Sequence, residues 1–312
     1  MHARNSETAL HAAGRFRMCS KTTIVHRSLA IPVQDRGRAT NTADTYRLST
    51  KAAEGYERQK VPSLFGPMAR ATLDAVSLPE GANIIDVACG TGIIAKVASG
   101  RLAGTGRIVG TDLNPAMIEV ARRTMPATRH RIEWFACDVT ELPFADGEFD
   151  IAFCQQGLQF FPDKPAALAE IRRVLKPGGR LYVSCWKSVT PLFQAASDSM
   201  RRRIGDDIAE QALRPYAFRD GKIISSLLRD AGFDIDDVSA LAIDRRLTPV
   251  RPAVRAEILA QPFEQALLAS GDATIDAIVG DVVAALESFR DGDSMTIPSE
   301  IQLFQARRPV AA

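Results

Sequence analysis

The sequence lacks several features that would assign a protein to a broad functional class directly. None of its apolar runs approaches the ~20 residues that a membrane-spanning helix needs. Its 39 basic and 37 acidic residues leave a formal charge of only +2, and no basic stretch is interleaved with aromatic residues. We therefore expect neither a membrane span nor a nucleic-acid partner.

Cysteine is scarce, and its spacing shows no CxxC motif or other pairing. Four of the five cysteines fall at or near the ends of predicted strands, namely Cys89, Cys137, Cys154 and Cys185. Small buried residues are typical of such positions, and free thiols are typical of a reducing compartment. We therefore predict a cytoplasmic protein without a metal site.

Residues 1–50 lack hydrophobic periodicity and are rich in Arg, Ser, Thr and Ala, with few acids. This composition can mimic an organellar transit peptide. We expect instead a disordered extension, or an over-long reading frame whose true start is Met18. Because no internal repeat or Pro- or Ser-rich linker divides the remainder, residues 51–312 are predicted to form a single domain.

Strand-like and helix-like patterns alternate through the middle of the chain. The predicted strands are 84–88, 107–112, 131–138, 149–156 and 180–186. The predicted helices are 51–62 ended by Pro62, 92–100, 114–125 with Asn114 as N-cap, and 163–179 stopped by Pro177 and Gly178. Such alternation predicts a parallel sheet with helices on both faces and ligands at the carboxyl ends of the strands.

The pattern changes after Trp186. The predicted elements there are a helical excursion at 191–214, a helix at 222–233, a strand at 234–247, helical segments at 252–269 and 274–290, and a last strand that begins at 294–296 and ends at 307–308. The second of the two helical segments carries apolar residues on one face. The basic run Arg201 to Arg203 is predicted to be a solvated helix face.

The stretch IIDVACGTGIIA, residues 84–95, predicts a buried strand that leads through a glycine turn into a helix. Gly90 and Gly92 would let backbone N–H groups approach a ligand at the helix N-terminus. The same letters satisfy the dinucleotide pattern G-x-G-x-x-A. The glycines alone therefore leave two nucleotide chemistries open.

Three acids, Asp86, Asp112 and Asp138, stand at or just inside the carboxyl ends of three successive predicted strands. Asp112 follows Gly92 by the spacing at which an acid reaches ribose hydroxyls, and Asp138 is placed to accept from an adenine amino group. Singly, Asp112 has the alternative of a turn residue and Asp138 that of a strand-ending cap. These alternatives do not readily explain all three acids, because each acid occupies a similar place relative to its strand. The sequence also lacks a Tyr-x-x-x-Lys hydride-transfer motif after the fourth or fifth strand, so a nicotinamide enzyme is disfavoured.

Four motifs carry a family resemblance: DVACGTG (86–92), GTDLNPAMIEVAR (110–122), CDVTELPFADGEFD (137–150) and LKPGGRLYVS (175–184). The sequence resembles class I S-adenosylmethionine-dependent methyltransferases of the ubiquinone/menaquinone-biosynthesis-like (methyltransferase type 11) small-molecule group. The resemblance implies an α/β, Rossmann-like, seven-stranded, mostly parallel sheet with an antiparallel last strand. It also implies a cofactor-binding core at 51–186 and acceptor-binding helical lid insertions at 187–295.

The resemblance implies twelve residues that bind S-adenosylmethionine. They are Asp86, Ala88, Gly90 and Gly92 around the methionine moiety, Asp112 at the ribose, Leu113 and Met117 near the adenosine, Asp138 and Val139 at the adenine, Cys154 and Gln155 near the methyl donor, and Tyr56 as a cover. Family members often carry Gly at position 88, where Ala is expected only to tighten the turn. They also often carry His where this chain has Gln159, so we expect no histidine base and assign no catalytic residue.

The resemblance implies methyl transfer to a small, apolar acceptor, as O- or C-methylation, mainly by positioning the reactants. The aromatic residues that are candidates for lining the acceptor pocket are Phe160, Trp186, Phe193 and Phe218, and for each of them simple core packing is the alternative. We expect a monomer or homodimer. Two other functions stay open: a non-catalytic regulatory protein that binds S-adenosylmethionine, and an NAD(P)-dependent oxidoreductase.

Overall fold

The computed structural model describes residues 49–310. The predicted extension over residues 1–50 therefore lies almost entirely outside the described residues. Within them, no helix is both long enough and apolar enough to cross a membrane.

The described chain alternates helices and strands up to its middle and becomes mainly helical before its last strand. The helices are α1 (Thr50–Lys60), α2 (Gly66–Asp74), α3 (Ile93–Arg101), α4 (Pro115–Thr124), α5 (Lys164–Val174), α6 (Pro191–Arg203), α7 (Asp206–Leu213), α8 (Gly221–Asp230), α9 (Val250–Leu259), α10 (Glu264–Ala269) and α11 (Asp272–Ala285). The strands are β1 (Asn83–Val87), β2 (Arg107–Asp112), β3 (Arg131–Ala136), β4 (Phe149–Gln155), β5 (Leu175–Trp186), β6 (Asp234–Leu247), β7 (Arg290–Asp291) and β8 (Ser294–Arg307).

The strands form one sheet in the order β3-β2-β1-β4-β5-β8-β6, and the short β7 pairs with β8. The first five are parallel, whereas β8 runs antiparallel to both β5 and β6. β1 is buried along nearly its whole length because helices cover both faces, which is why its sequence is continuously apolar. The predicted Rossmann-like fold with an antiparallel last strand is confirmed.

Two predicted helix ends are wrong. Pro62 does not end the first helix, because a five-residue π-helical segment, Val61–Phe65, continues α1 into α2 with Pro62 in its first turn. α5 ends at Val174 rather than at Pro177 and Gly178. The chain turns earlier there because Leu175 already pairs with Phe149, so β5 starts five residues before its predicted beginning at 180.

The helices α9, α10 and α11 occupy the connection between β6 and β8. Because β8 is antiparallel to β5, the end of β6 and the start of β8 lie at the same edge of the sheet as the carboxyl end of β5. The β6–β8 ladder continues from Ile301 to Met295, beyond Trp186 where β5 ends. The helical insertion therefore emerges at the edge where parallel sheets bind ligands.

The apolar face predicted for the last helical segment is confirmed. Its buried residues in α11 are Ile275, Ile278, Val279, Val282 and Val283. The basic run Arg201 to Arg203 is exposed and forms ion pairs with Asp206 and Asp281, so the prediction of a solvated face is also confirmed.

Candidate functional site

The turn after β1 places three residues in the left-handed backbone region. Ala88 has φ 54°, Gly90 has φ 55° and Gly92 has φ 82°. Glycine adopts this conformation without steric cost, whereas the Cβ of Ala88 makes it strained. The alanine therefore does more than tighten the turn, because it stores strain at the end of β1.

Gly92 is required for a second reason, which is close packing against Trp134. A Cβ at Gly92 or at Gly110 would overlap the indole ring. Gly110 of β2 and Trp134 of β3 are register partners, so the ring lies across the neighbouring strand and under the turn. Trp134 was not among the predicted site residues, although a tryptophan opposite a glycine on the next strand is a packing signal that a sequence can show.

Asp86 is a buried acid near the carboxyl end of β1. Its side chain is 1% exposed, and Oδ2 has no hydrogen-bond partner. Burial raises the pKa of Asp86 well above its ordinary value, and the nearby Asp112 adds to the rise, although a backbone hydrogen bond from Ala95 opposes it. A buried carboxylate that lacks a partner fits a site whose ligand supplies a cation.

Asp112 organises the glycine turn from the end of β2. Its Oδ2 accepts from the backbone N–H of Gly90 at 2.9 Å, and its Oδ1 accepts from the backbone N–H of Asn114 at 2.8 Å. Burial raises the pKa of Asp112, and these two hydrogen bonds oppose the rise. The carboxylate is thus held in one orientation, and its contact with a ribose stays a prediction.

The N-terminal helix covers this turn through Tyr56. A Cβ at Gly90 would lie 3.7 Å from the Tyr56 hydroxyl, and the Tyr56 ring stacks on Phe65 with centroids 5.1 Å apart. The backbone carbonyl of Phe65 accepts from Nε2 of Gln155 at 3.3 Å. Tyr56 and Gln155, both predicted site residues, therefore both contact Phe65.

The residues predicted for the adenosine lie beside Asp112. Met117 is buried with Ala53 in a small cluster against which Tyr56 packs, whereas Leu113 is 38% exposed. Asp138 is exposed, and its Oδ1 accepts from the backbone N–H and the hydroxyl of Thr140. Asp138 thus caps the short helix Val139–Glu141, so the capping alternative is realised, and its contact with adenine stays a prediction.

Unpaired polar atoms are concentrated at the carboxyl ends of β1, β4 and β5. Within residues 49–310, ten buried side-chain polar atoms have no hydrogen-bond partner. Six of the ten lie at these strand ends, on Asp86, Thr91, Gln155, Gln156, Gln159 and Ser184. Since buried polar groups are nearly always satisfied in folded proteins, this concentration indicates where a polar ligand binds.

The loop after β4 contains the two glutamines Gln156 and Gln159. Gln156 has φ 56°, and its Oε1 accepts from Nε2 of Gln159 at 2.8 Å. His130 lies at the other end of the sheet, where its Nδ1 accepts from the backbone N–H of Gly106. The thiol of Cys154 is buried, which raises its pKa to about 12 and keeps it protonated.

The four aromatic residues predicted to line an acceptor pocket do not form one group. Trp186 and Phe193 both pack against Tyr216, with centroids 5.0 and 5.9 Å away, and both are buried in the cluster beneath the helical insertion. Phe160 is half-buried in the loop after β4. Phe218 packs against a different core cluster and lies under Nζ of Lys164, so the structure separates it from Trp186 and Phe193.

A buried ion cluster joins the N-terminal helix to the helical insertion. Nζ of Lys60 donates to Oε2 of Glu257 at 2.6 Å, and Nη1 of Arg245 donates to the same oxygen at 3.2 Å. All three side chains are less than 10% exposed, and Nζ of Lys60 lies 5.8 Å from the Phe193 ring centroid. Sequence reasoning missed this cluster, because its members lie on α1, β6 and α9.

Comparison with known proteins gives a family match in the middle of the chain. Residues 85–183 match the model of a family described as a methyltransferase domain. The chain is 33% identical, over 145 residues, to a ubiquinone/menaquinone biosynthesis C-methyltransferase UbiE of Paraburkholderia phymatum. That alignment covers 45% of this chain and 60% of the relative, so the chain spans less than two thirds of the relative's length.

Solved structures share the fold at low identity. A phosphoethanolamine N-methyltransferase 2 of Haemonchus contortus, in complex with phosphomonomethylethanolamine and S-adenosylhomocysteine, has TM-score 0.55 and 19% identity, covering 87% of this chain and 61% of that one. The [4+2]-cyclase SpnF has TM-score 0.51 and 23% identity, covering 79% and 81%. Together with the family match, the fold confirms the predicted resemblance to class I S-adenosylmethionine-dependent methyltransferases.

Proposed function

We propose that this protein binds S-adenosylmethionine at the turn after β1 and transfers its methyl group to a small, apolar acceptor. One observation carries the proposal. Asp86 and Asp112 are two neighbouring carboxylates, one of them fully buried, and within the described residues neither forms an ion pair. A ligand that carries an ammonium and a sulfonium group supplies the positive charge that this site lacks, whereas the phosphates of a dinucleotide add negative charge.

Different residues at and around the turn would bind different parts of the cofactor. Asp86, through its unpaired Oδ2, would accept from the amino group of the methionine moiety. Asp112, already oriented by Gly90 and Asn114, would accept from the ribose hydroxyls. Leu113 and Met117 would contact the adenosine, and Tyr56 would cover the methionine moiety from α1.

Bound S-adenosylmethionine supplies an electrophilic methyl group, so the protein needs mainly to orient the acceptor and exclude water. Gln155, Gln156 and Gln159 provide neutral amide groups near the methyl donor, and none of them can serve as a general base. Such a site suits an acceptor that is already acidic, or an activated carbon. Four free cysteines among the described residues agree with a cytoplasmic location.

Calorimetry tests the cofactor directly. We expect S-adenosylmethionine and S-adenosylhomocysteine to bind in the micromolar range, and NADH not to bind. Binding of NADH in place of S-adenosylmethionine would replace this function with that of an oxidoreductase. Turnover of radiolabelled S-adenosylmethionine with a panel of quinols, phenols, fatty acids and amines then tests transfer and separates O- from C-methylation.

A second candidate is a protein that holds S-adenosylmethionine without transferring its methyl group. SpnF shares the fold and is a [4+2]-cyclase, so this architecture is compatible with other chemistry. Tight cofactor binding without methyl transfer to any class of the panel would favour this candidate.

A further inference from the structure

The cluster of Lys60, Arg245 and Glu257 contains two cations and one carboxylate in a buried environment. Within residues 49–310, Glu257 is the only acidic side chain that pairs with either cation. Two cations therefore share one carboxylate, and burial lowers the pKa of Lys60 while Glu257 opposes that fall. A net charge buried among apolar side chains is costly unless something neutralises it.

One atom of the cluster also lacks a hydrogen-bond partner. Nε of Arg245 is buried and unpaired, and the residue is 2% exposed. By contrast, Glu257 is fully used, because Oε2 accepts from both cations and Oε1 accepts from Ser63 at 3.3 Å. The unpaired donor therefore lies on the guanidinium of Arg245, and both this donor and the excess of cations in the cluster favour an anionic oxygen.

The cluster lies next to the cofactor site and to the aromatic residues predicted to line the acceptor pocket. Lys60 follows Tyr56 by about one helical turn on α1, and Tyr56 lies over Gly90. On the other side, Lys60 contacts the ring of Phe193, which packs against Tyr216. A ligand bound here would place its charged end at Arg245 and its apolar body against Phe193 and Trp186.

We propose that Arg245 and Lys60 form an anion subsite for the methyl acceptor, which is therefore an apolar or aromatic molecule with one anionic oxygen group. The inference rests on the proposed methyltransferase function and narrows its acceptor class. All three side chains are buried, so an acceptor can reach them only if the cluster opens.

The test compares acids with their neutral analogues on the full chain saturated with S-adenosylhomocysteine. Calorimetry measures hexanoate, benzoate and 3-phenylpropionate, each against its primary amide. We expect at least one acid to bind more tightly than its amide by about tenfold or more, as for a charge-assisted hydrogen bond. Equal affinities, or no binding by any of the six probes, would overturn the proposal.

Variants that change the charge of the cluster make the test specific. Lys60→Met leaves a neutral Arg245–Glu257 pair and Arg245→Gln leaves a neutral Lys60–Glu257 pair, so each should bring the acid-to-amide ratio close to one. Glu257→Gln removes the negative charge of the cluster, so its net positive charge increases and the acid-to-amide affinity ratio should rise. If one of the variants Lys60→Met and Arg245→Gln does not fold, the other is sufficient for the test. An acid-to-amide affinity ratio that stays the same in all the variants would show that the cluster is purely structural.

Ser63→Ala is the matched control, because it removes a hydrogen bond to Glu257 and keeps all three charges. Its acid-to-amide ratio should equal that of the unaltered protein. Binding of S-adenosylhomocysteine is measured in the same samples. If the unaltered protein does not bind S-adenosylhomocysteine, the proposed function is refuted. If it binds S-adenosylhomocysteine but binds the acids no more tightly than their amides, only the anion subsite is refuted.

Discussion

The two halves of the site carry unbalanced charge of opposite sign. At the turn after β1, Asp86 and Asp112 are acids without cationic partners, whereas beneath the helical insertion Lys60 and Arg245 share one acid, Glu257. Both imbalances are buried, so solvent does not erase them. Under the two proposals above, the charge missing from each half is the charge of its ligand: a cationic methyl donor on one side and an anionic acceptor on the other.

The largest expected effect concerns the stability of the acceptor side. Glu257→Ala should lower the free energy of unfolding by about 3–5 kcal/mol, because it leaves two buried cations without their common partner. Urea denaturation of the unliganded protein measures this loss. As a control, Asp281→Ala removes an acid from the partly exposed ion cluster around Arg203 and should cost less. Equal losses would mean that burial of the Glu257 cluster has no energetic weight.

On the cofactor side, Asp112→Ala should weaken S-adenosylhomocysteine binding by roughly 100-fold, because two charge-assisted hydrogen bonds to the ribose are lost. Calorimetry provides the measurement. Asp150→Ala is a matched control, since Asp150 also accepts from a backbone N–H, that of Asn83, but at the opposite end of the sheet. Unchanged affinity in Asp112→Ala would contradict the ribose assignment.

Replacing Asp86 should weaken cofactor binding and should also reduce the dependence of stability on pH. Asp86→Asn should weaken S-adenosylhomocysteine binding by about tenfold, since a charge-assisted contact with the amino group becomes neutral. Burial raises the pKa of Asp86, so the unliganded protein loses stability as the pH rises through that raised pKa. In the variant, Tm should therefore fall less between pH 5 and pH 8. A pH dependence identical to that of the unaltered protein would refute this account, with Asp150→Asn as the control.

The smallest expected effect tests the strain at the end of β1. Ala88→Gly should raise the free energy of unfolding by about 1 kcal/mol, because glycine accepts a φ of 54° without a Cβ clash. Ala277→Gly, in the right-handed backbone of α11, should lower it by about 0.5–1 kcal/mol. A loss of stability in both variants would show that Ala88 is not strained.

The same contrast explains what the sequence could and could not predict. The strand ends around Asp86 and Asp112 were predictable, because local apolar runs and glycines determine where β1 and β2 stop. The start of β5 was not, because pairing of Leu175 with Phe149 overrides the local signal of Pro177 and Gly178.

Long-range contacts set a further limit. Lys60 meets Glu257 across 197 residues of chain, and nothing in the local pattern of either residue indicates burial. The packing of Trp134 was harder to predict than the ends of β1 and β2 but easier than the contact of Lys60 with Glu257. Its partner Gly110 is on the adjacent strand, so the pair was readable once the register of β2 and β3 was known.

The position of the helical insertion has a consequence for the modularity of this protein. Residues 250–289 leave and re-enter the sheet at the tip of one antiparallel ladder, where Leu247 faces Met295. A short turn from Leu247 to Met295 would keep the β6–β8 pairs and form a β-hairpin, but it would remove the β7–β8 pairs and part of the hydrophobic cluster that contains Trp186 and Phe193. Lys60 and Arg245 would then lose Glu257, so neutral residues at both positions would have to accompany the deletion. The helical insertion is thus joined to the sheet at one junction, and it is joined to the rest of the protein through a shared hydrophobic cluster.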